Sequence, residues 1–207
     1  MNIEDTIEYK YGTEVEIECA RVFITRGWKV TPATWEENKF KKFDFIIEKN
    51  GKRYKIDAKG IKRIARGDKD RSKNYTWLEL QGVTGYPGWL KGEADFFATK
   101  DANQEYSFYL QRREKLVDYV RENVDLNKAN NGAKLVKAPD GFDCWVAQND
   151  RNKAYNALYT RPPSRDYGER WDLITLVDLQ HLKENVKSKT FKLSDEEIKQ
   201  IKQLDNT

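Results

Sequence analysis

Two aspartates and a lysine stand where a strand hairpin would gather them. Asp44 interrupts the apolar run Phe43-Asp44-Phe45-Ile46-Ile47, and Asp57 and Lys59 alternate with Ile56 and Ala58 in the run Tyr54 to Lys59. Side chains two apart on a strand share a face, about 6.6 Å apart along it. Asp57 and Lys59 therefore project together, opposite Ile56 and Ala58. Between the two runs, Lys49-Asn50-Gly51-Lys52 carries the Asn-Gly pair that favours a tight hairpin turn. A hairpin closed there lets Asp44 approach the same face from the neighbouring strand. Two carboxylates and an ammonium at one spot suit phosphodiester hydrolysis. Hard oxygen ligands hold Mg²⁺, with Mn²⁺ as its substitute, and the ion keeps waters and accepts phosphate oxygens. A lysine beside it orients the water or stabilises developing charge. The bland alternative is a solvated Asp–Lys pair worth about 0–1 kcal/mol. Burying an aspartate among Phe and Ile without compensation is costly, which favours the chemical role.

A helix must bring any further ligand. Placed at 100° intervals, Val15, Cys19, Ala20, Val22, Phe23 and Ile24 form an apolar arc on an amphipathic helix running from Thr13 to a stop at Gly27. Glu16 falls inside that arc, whereas Glu14, Glu18, Arg21 and Thr25 fall on the polar side. An inward carboxylate fits a metal site. It also fits a capping box, Thr13-x-x-Glu16, in which Glu16 only returns to the backbone of Thr13. Beyond the hairpin, Lys62, Arg63 and Arg66 open a basic run suited to phosphate contacts. Trp77, Glu79, Gln81 and Val83 share one face of a third strand, so Glu79 or Gln81 extends the site or is simply polar on a half-exposed strand. Tyr75, Trp77, Tyr86 and Trp89 are rim aromatics or stacking groups.

Helix Glu16, strand Asp44 and Asp57-x-Lys59 on the next strand together resemble the PD-(D/E)XK nuclease superfamily. Within it, Gly12-x-x-x-Glu16, the eleven-residue spacing from Glu16 to Gly27 and the thirteen from Asp44 to Asp57 are similar to archaeal Holliday junction resolvases. The likeness spans roughly Gly12 to Val83, and Phe43 replaces the proline that precedes the first aspartate in the motif. The resemblance implies Asp44, Asp57 and the Ala58 carbonyl as metal ligands and Lys59 as the catalytic lysine. Glu16 would act on the metal directly or through water. It further implies a Mg²⁺-dependent DNA endonuclease, structure-selective or of a restriction or repair type. A nucleic-acid-binding module that keeps the fold without the chemistry is the alternative. After Gly85 no counterpart aligns with the small resolvases.

The elements around these residues give an α/β or α+β domain with a restriction-endonuclease-like core, a mixed central sheet flanked by helices. Strands are expected at 43–48, 53–59, 76–83, 94–99, 106–110 and 173–177, and a helix at 113–123. Asp178 caps a further helix through Glu184, and Ser194-Asp195-Glu196-Glu197 is a capping box opening the last one. The segment 125–150 reads as irregular. One nuclease domain is expected over 1–187, its catalytic core about 12–111, with a C-terminal helical appendage over 188–207.

Composition supports a charged shell around a modest core. Charged residues reach 35% against 38% hydrophobic, while aromatics at 13% argue against disorder. From Lys39 to Lys73 fourteen Lys/Arg against five Asp/Glu leave +9, although the whole chain carries only +4. That block fits a polyanionic partner, DNA. Cys19 and Cys144 lack the spacing of a zinc site or a disulfide framework, and the single histidine, His181, disfavours histidine-rich nuclease sites. No apolar run approaches membrane-spanning length and the acidic start is unlike a signal peptide, so a cytoplasmic protein without membrane association is expected. Cutting both strands of a junction or duplex needs two sites, which favours a symmetric homodimer.

Overall fold

Asn50 and Gly51 take φ values of 51° and 73°, the pair of left-handed residues that a type I′ hairpin turn demands. The expected hairpin forms around them. It belongs to a computed structural model that describes residues 14–61, 74–81, 87–124, 133–137, 143–147, 158–161 and 172–204. In chain order the regular elements begin with α1 (Glu14–Thr25), β1 (Lys29–Pro32), a π-helical turn (Glu37–Lys41), β2 (Phe45–Lys49), β3 (Lys52–Lys59) and β4 (Tyr75–Gln81). A 3₁₀ turn (Trp89–Lys91), β5 (Phe96–Lys100), β6 (Ser107–Arg112) and α2 (Arg113–Asn123) follow. The chain continues with β7 (Ala133–Lys137), β8 (Asp143–Ala147), β9 (Leu158–Arg161), β10 (Asp172–Asp178), α3 (Leu179–Asn185), β11 (Ser188–Lys192) and α4 (Asp195–Leu204). The class is α+β.

Two compact units share these elements. The first draws on Met1–Gly60, Glu93–Arg112 and Ser188–Thr207, the second on Ile61–Gly92 and Arg113–Lys187. Each unit is assembled from stretches that are separate along the chain. Ser188–Lys192 is an edge strand, paired antiparallel to β6 with Phe191 opposite Phe108. Phe191 also stacks on Phe23 at 4.7 Å. The sequence Ser-Lys-Thr-Phe-Lys alternates with one large ring on the core side, so burial of that ring holds the segment extended. Its lysines suit an edge strand, because charge there discourages further pairing.

The first unit is built on a mixed six-stranded sheet in the order β1-β2-β3-β5-β6-β11. Its pairs are antiparallel except β3 and β5, which run parallel with Asp57 beside Phe97 and Lys59 beside Thr99. One face carries Phe45, Ile47, Ile56, Ala58, Ala98 and Phe108, packed with Cys19, Ala20, Val22 and Phe23 of α1 into a single apolar cluster. Ile198 and Ile201 of α4 add to it. Burying a Phe or Ile side chain contributes about 1.5–3 kcal/mol, so this cluster dominates the unit's stability. The expected capping box is present: Ser194 N–H donates to Glu197 at 2.7 Å, and Glu197 N–H donates to Ser194 Oγ at 3.3 Å.

The second unit holds an antiparallel five-stranded sheet, β4-β10-β9-β8-β7. Strands β7 and β8 pair over Ala133–Ala147, inside the segment expected to be irregular. Ala-Lys-Leu-Val-Lys and Asp-Cys-Trp-Val-Ala are short β-prone runs, and their Asn- and Gly-rich flanks obscure them. Asp178 caps α3 as expected, accepting from His181 N–H at 2.9 Å. The ring of His181 meets the Tyr119 hydroxyl at 2.7 Å from Nδ1, so the single histidine ties α3 to α2. Among the described residues no helix is long and apolar enough to cross a membrane.

Candidate active site

Alternation along β3 splits its side chains between two surroundings. Ile56 and Ala58 enter the apolar cluster under α1. Asp57 turns the other way and is nonetheless only 2% exposed. The Lys59 ammonium lies 2.6 Å from Asp57 Oδ1, and Asp57 Oδ2 is buried with no hydrogen-bond partner. Burial pushes the Asp57 carboxyl well above the usual carboxylate range; Lys59 opposes the rise and the Asp44 carboxylate adds to it. A buried acceptor with an open lone pair is rare in native interiors.

Asp44 reaches this spot from just before β2. Its backbone N–H donates to Ile56 O at 2.8 Å, which extends the β2–β3 ladder by one residue. Its Oδ2 accepts the Ala58 N–H at 2.7 Å, so the carboxylate takes the place of a ladder carbonyl. Its Oδ1 accepts from Asn38 Nδ2 at 2.7 Å. Asn38 lies in the π-helical turn, which closes with Lys42 N–H on Glu37 O and leaves Lys42 at φ 59°. A left-handed non-glycine residue costs about 1–2 kcal/mol, and here it turns the chain into Phe43-Asp44.

The structure brings Asp44, Asp57 and Lys59 together. Glu16 sits half-buried in the first turn of α1, one turn before Cys19. Burial pushes the Cys19 thiol up, and Asp44, Glu18 and Asp57 push the same way, so this stretch of α1 feels the acidic pair. Among the described residues no three His, Cys, Asp or Glu side chains converge as a metal cluster, so Glu16 does not complete one with the aspartates. Its proposed capping partner, Thr13, lies outside the described residues. Gly60 explains how closely α1 approaches: a Cβ there would stand 3.0 Å from Val15 Cγ2. Lys62, Arg63 and Arg66 lie outside the described residues. Gln81 ends β4, which pairs with β10 in the second unit's sheet. The strand bonded alongside β3 is β5 instead, so the third strand of the sequence does not flank the site within this sheet.

Several residues were not singled out by sequence. On the same sheet face as Asp57 and Lys59 stand Thr99, Gln111 and Ser107, all buried. Thr99 Oγ1 donates to Gln111 Oε1 at 3.4 Å. Tyr109 donates to Asp101 Oδ2 at 2.7 Å, and burial, with Asp101, pushes its hydroxyl up to about 12. Glu18, assigned to the polar side of α1, accepts from both Lys100 Nζ and Tyr106 N–H. Its position at the helix flank lets it satisfy a backbone donor where β5 turns toward β6. No spacing along the chain links Glu18 to Lys100, or Asn38 to Asp44. Polar residues at alternate positions of β6, Ser107, Tyr109 and Gln111, were the available signal.

The donor set fits a hard divalent cation. Asp57 Oδ2 is open, and Asp44 retains lone pairs beyond the two hydrogen bonds it accepts, since a carboxylate offers about four acceptor sites. The half-buried Asp44 carboxylate repels the buried Asp57, a repulsion that Lys59 opposes and that a further cation beside them would relieve. Mg²⁺ usually takes one or two carboxylates and completes its shell with water and phosphate, so a third acidic side chain is not required. Compared with protein-family models, curated proteins and solved structures, the chain matches none.

Proposed function

We propose that this protein is a Mg²⁺-dependent DNA endonuclease whose site, Asp44, Asp57 and Lys59, is of the PD-(D/E)XK kind on a restriction-endonuclease-like core. The observation that carries the proposal is the buried Asp57, with Lys59 on one oxygen and nothing on the other, beside Asp44. Asp44, Asp57 and the Ala58 carbonyl would hold the cation. When bound, such an ion neutralises phosphate charge and acidifies water. Lys59 keeps an ammonium at the reacting phosphate, where it orients water or balances charge as the bond breaks. Asn38 and the Ala58 N–H fix the Asp44 carboxylate, so it needs no reorganisation to meet its ligand. Glu16 acts from one helical turn before Cys19, through water rather than as a direct ligand. The basic stretch between Lys39 and Lys73 supplies sequence-independent attraction for a phosphate backbone.

The test is a substrate panel. Purified protein is incubated with supercoiled plasmid, linear duplex, single strands and a four-way junction, with Mg²⁺, Mn²⁺ or EDTA. Cleavage of at least one DNA with either metal, none with EDTA and none by folded Asp57→Asn is expected. A wild type that binds DNA yet cuts nothing would make this a binding module instead.

A further inference from the structure

The π-helical turn that holds Asp44, with the residues just before it, carries the two most exposed large hydrophobic side chains among the described residues: Trp35, 66% exposed, two positions ahead of the turn, and Phe40, 54% exposed, within it. A reciprocal capping box sets the turn's start, with Thr34 N–H donating to Glu37 Oε2 at 3.1 Å and Glu37 N–H to Thr34 Oγ1 at 3.2 Å. Trp35, just ahead of the π-turn, and Phe40, within it, meet edge to face with centroids 6.2 Å apart. Lys39 Nζ lies 4.3 Å over the Trp35 ring and 5.2 Å over the Phe40 ring. From the same turn Asn38 Nδ2 reaches Asp44 Oδ1 at 2.7 Å and the Phe43 carbonyl at 3.5 Å.

We infer that Trp35, Phe40 and Lys39 form a stacking platform for an unpaired base of the strand whose backbone lies at the Asp44–Asp57 site. The inference deepens the proposed function and rests on it for the strand's role as substrate. An exposed indole, held edge to face by Phe40 and accompanied by a cation, matches a nucleotide: the flat base stacks on the indole and its phosphate meets the ammonium. Lys41 and Lys42 continue the positive charge toward Asp44. A base inside a duplex has both faces covered by its neighbours, so only single strands, gaps, flaps or opened junctions can offer one. Asn38 joins platform and carboxylate in one turn, which sets the stacked base in register with the phosphate to be cut.

The experiment measures binding in EDTA, where no cleavage occurs, by fluorescence anisotropy of three labelled probes: oligothymidylate, an abasic strand of equal length and a blunt duplex. Stacking is worth about 5- to 150-fold per base, so Trp35→Ala/Phe40→Ala should weaken oligothymidylate binding by that factor. The same variant should leave the abasic strand and the duplex unchanged, and Trp35→Phe should retain most of the affinity. Unchanged oligothymidylate binding would overturn the inference, as would equal losses on all three probes. Thermal melting confirms that the variants fold, and Trp35→Phe against Trp35→Ser repeats the test singly if the double variant does not. Wild-type protein that prefers bases over abasic strand but cuts nothing with Mg²⁺ would refute the proposed function alone. Cleavage with no such preference would refute the platform alone.

Discussion

The two faces of the six-stranded sheet differ in kind although the same strands make both. Beneath α1, Phe45, Ile56, Ala98 and Phe108 alternate into a dry apolar cluster. One residue away along the strands, Asp57, Thr99, Ser107 and Gln111 are as thoroughly buried yet polar, interspersed there with Phe97 and Ile46. Burial alone therefore does not separate core from chemistry here. The distinguishing feature is satisfaction: the apolar face has nothing to satisfy, while the opposite face keeps an open carboxylate oxygen on Asp57. Such groups are few in native interiors, and each calls for an explanation.

The sharpest way to break this comparison is to exchange the two kinds of loss. Asp57→Asn and Lys59→Met should each lower metal-dependent cleavage by about 10³-fold, as for removal of a group that acts on developing charge. Phe45→Ala should instead cost about 3–5 kcal/mol of stability and spare activity per folded molecule. Denaturant titration and single-turnover rates on the same preparations decide it. Equal effects of both classes on rate would erase the distinction between the faces.

A second expectation turns on pH. The folded-state pKa of Asp57 is raised, so the protonated folded form is favoured and its contribution is fully present below the unfolded value, about 3.9. That contribution is lost as pH rises through the folded value. In EDTA, Asp57→Asn should therefore gain on the wild type as pH climbs above about 4, by about 1–3 kcal/mol for relief of a buried, incompletely paired acceptor. Saturating Mg²⁺ should reverse the order by stabilising only the wild type, about 2.7 kcal/mol at a hundred times Kd. A stability gap that is flat in pH, or blind to metal, would remove Asp57 from the metal site.

The smallest effect belongs to α1. Acting through water, Glu16 should yield a loss of about 10–100-fold in rate as Glu16→Gln, as outer-sphere partners of a metal do, with little change in melting. A lower melting temperature at unchanged rate would return Glu16 to a purely capping role.

Much of the site was legible before any fold was known. Local turn chemistry at Asn50-Gly51 and strict alternation in β3 suffice to pair Asp57 with Lys59, because both are properties of neighbouring residues. The α1 arc and the capping boxes at Asp178 and Ser194 are equally local. Three things were not. Strand β5 lies beside β3 only because a long excursion through the second unit returns parallel, and no short-range pattern encodes that neighbour. Ser188–Lys192 became a strand because Phe191 found Phe23, a contact across most of the chain. Asn38 met Asp44 because one extra residue widened a helical turn, a backbone event that side-chain periodicity does not record. The sequence by itself determined which residues alternate, turn and cap, since those follow from bonded geometry over a few positions. Tertiary structure alone decided which buried carboxylate is left with an open oxygen, since only packing from distant segments sets who its neighbours are.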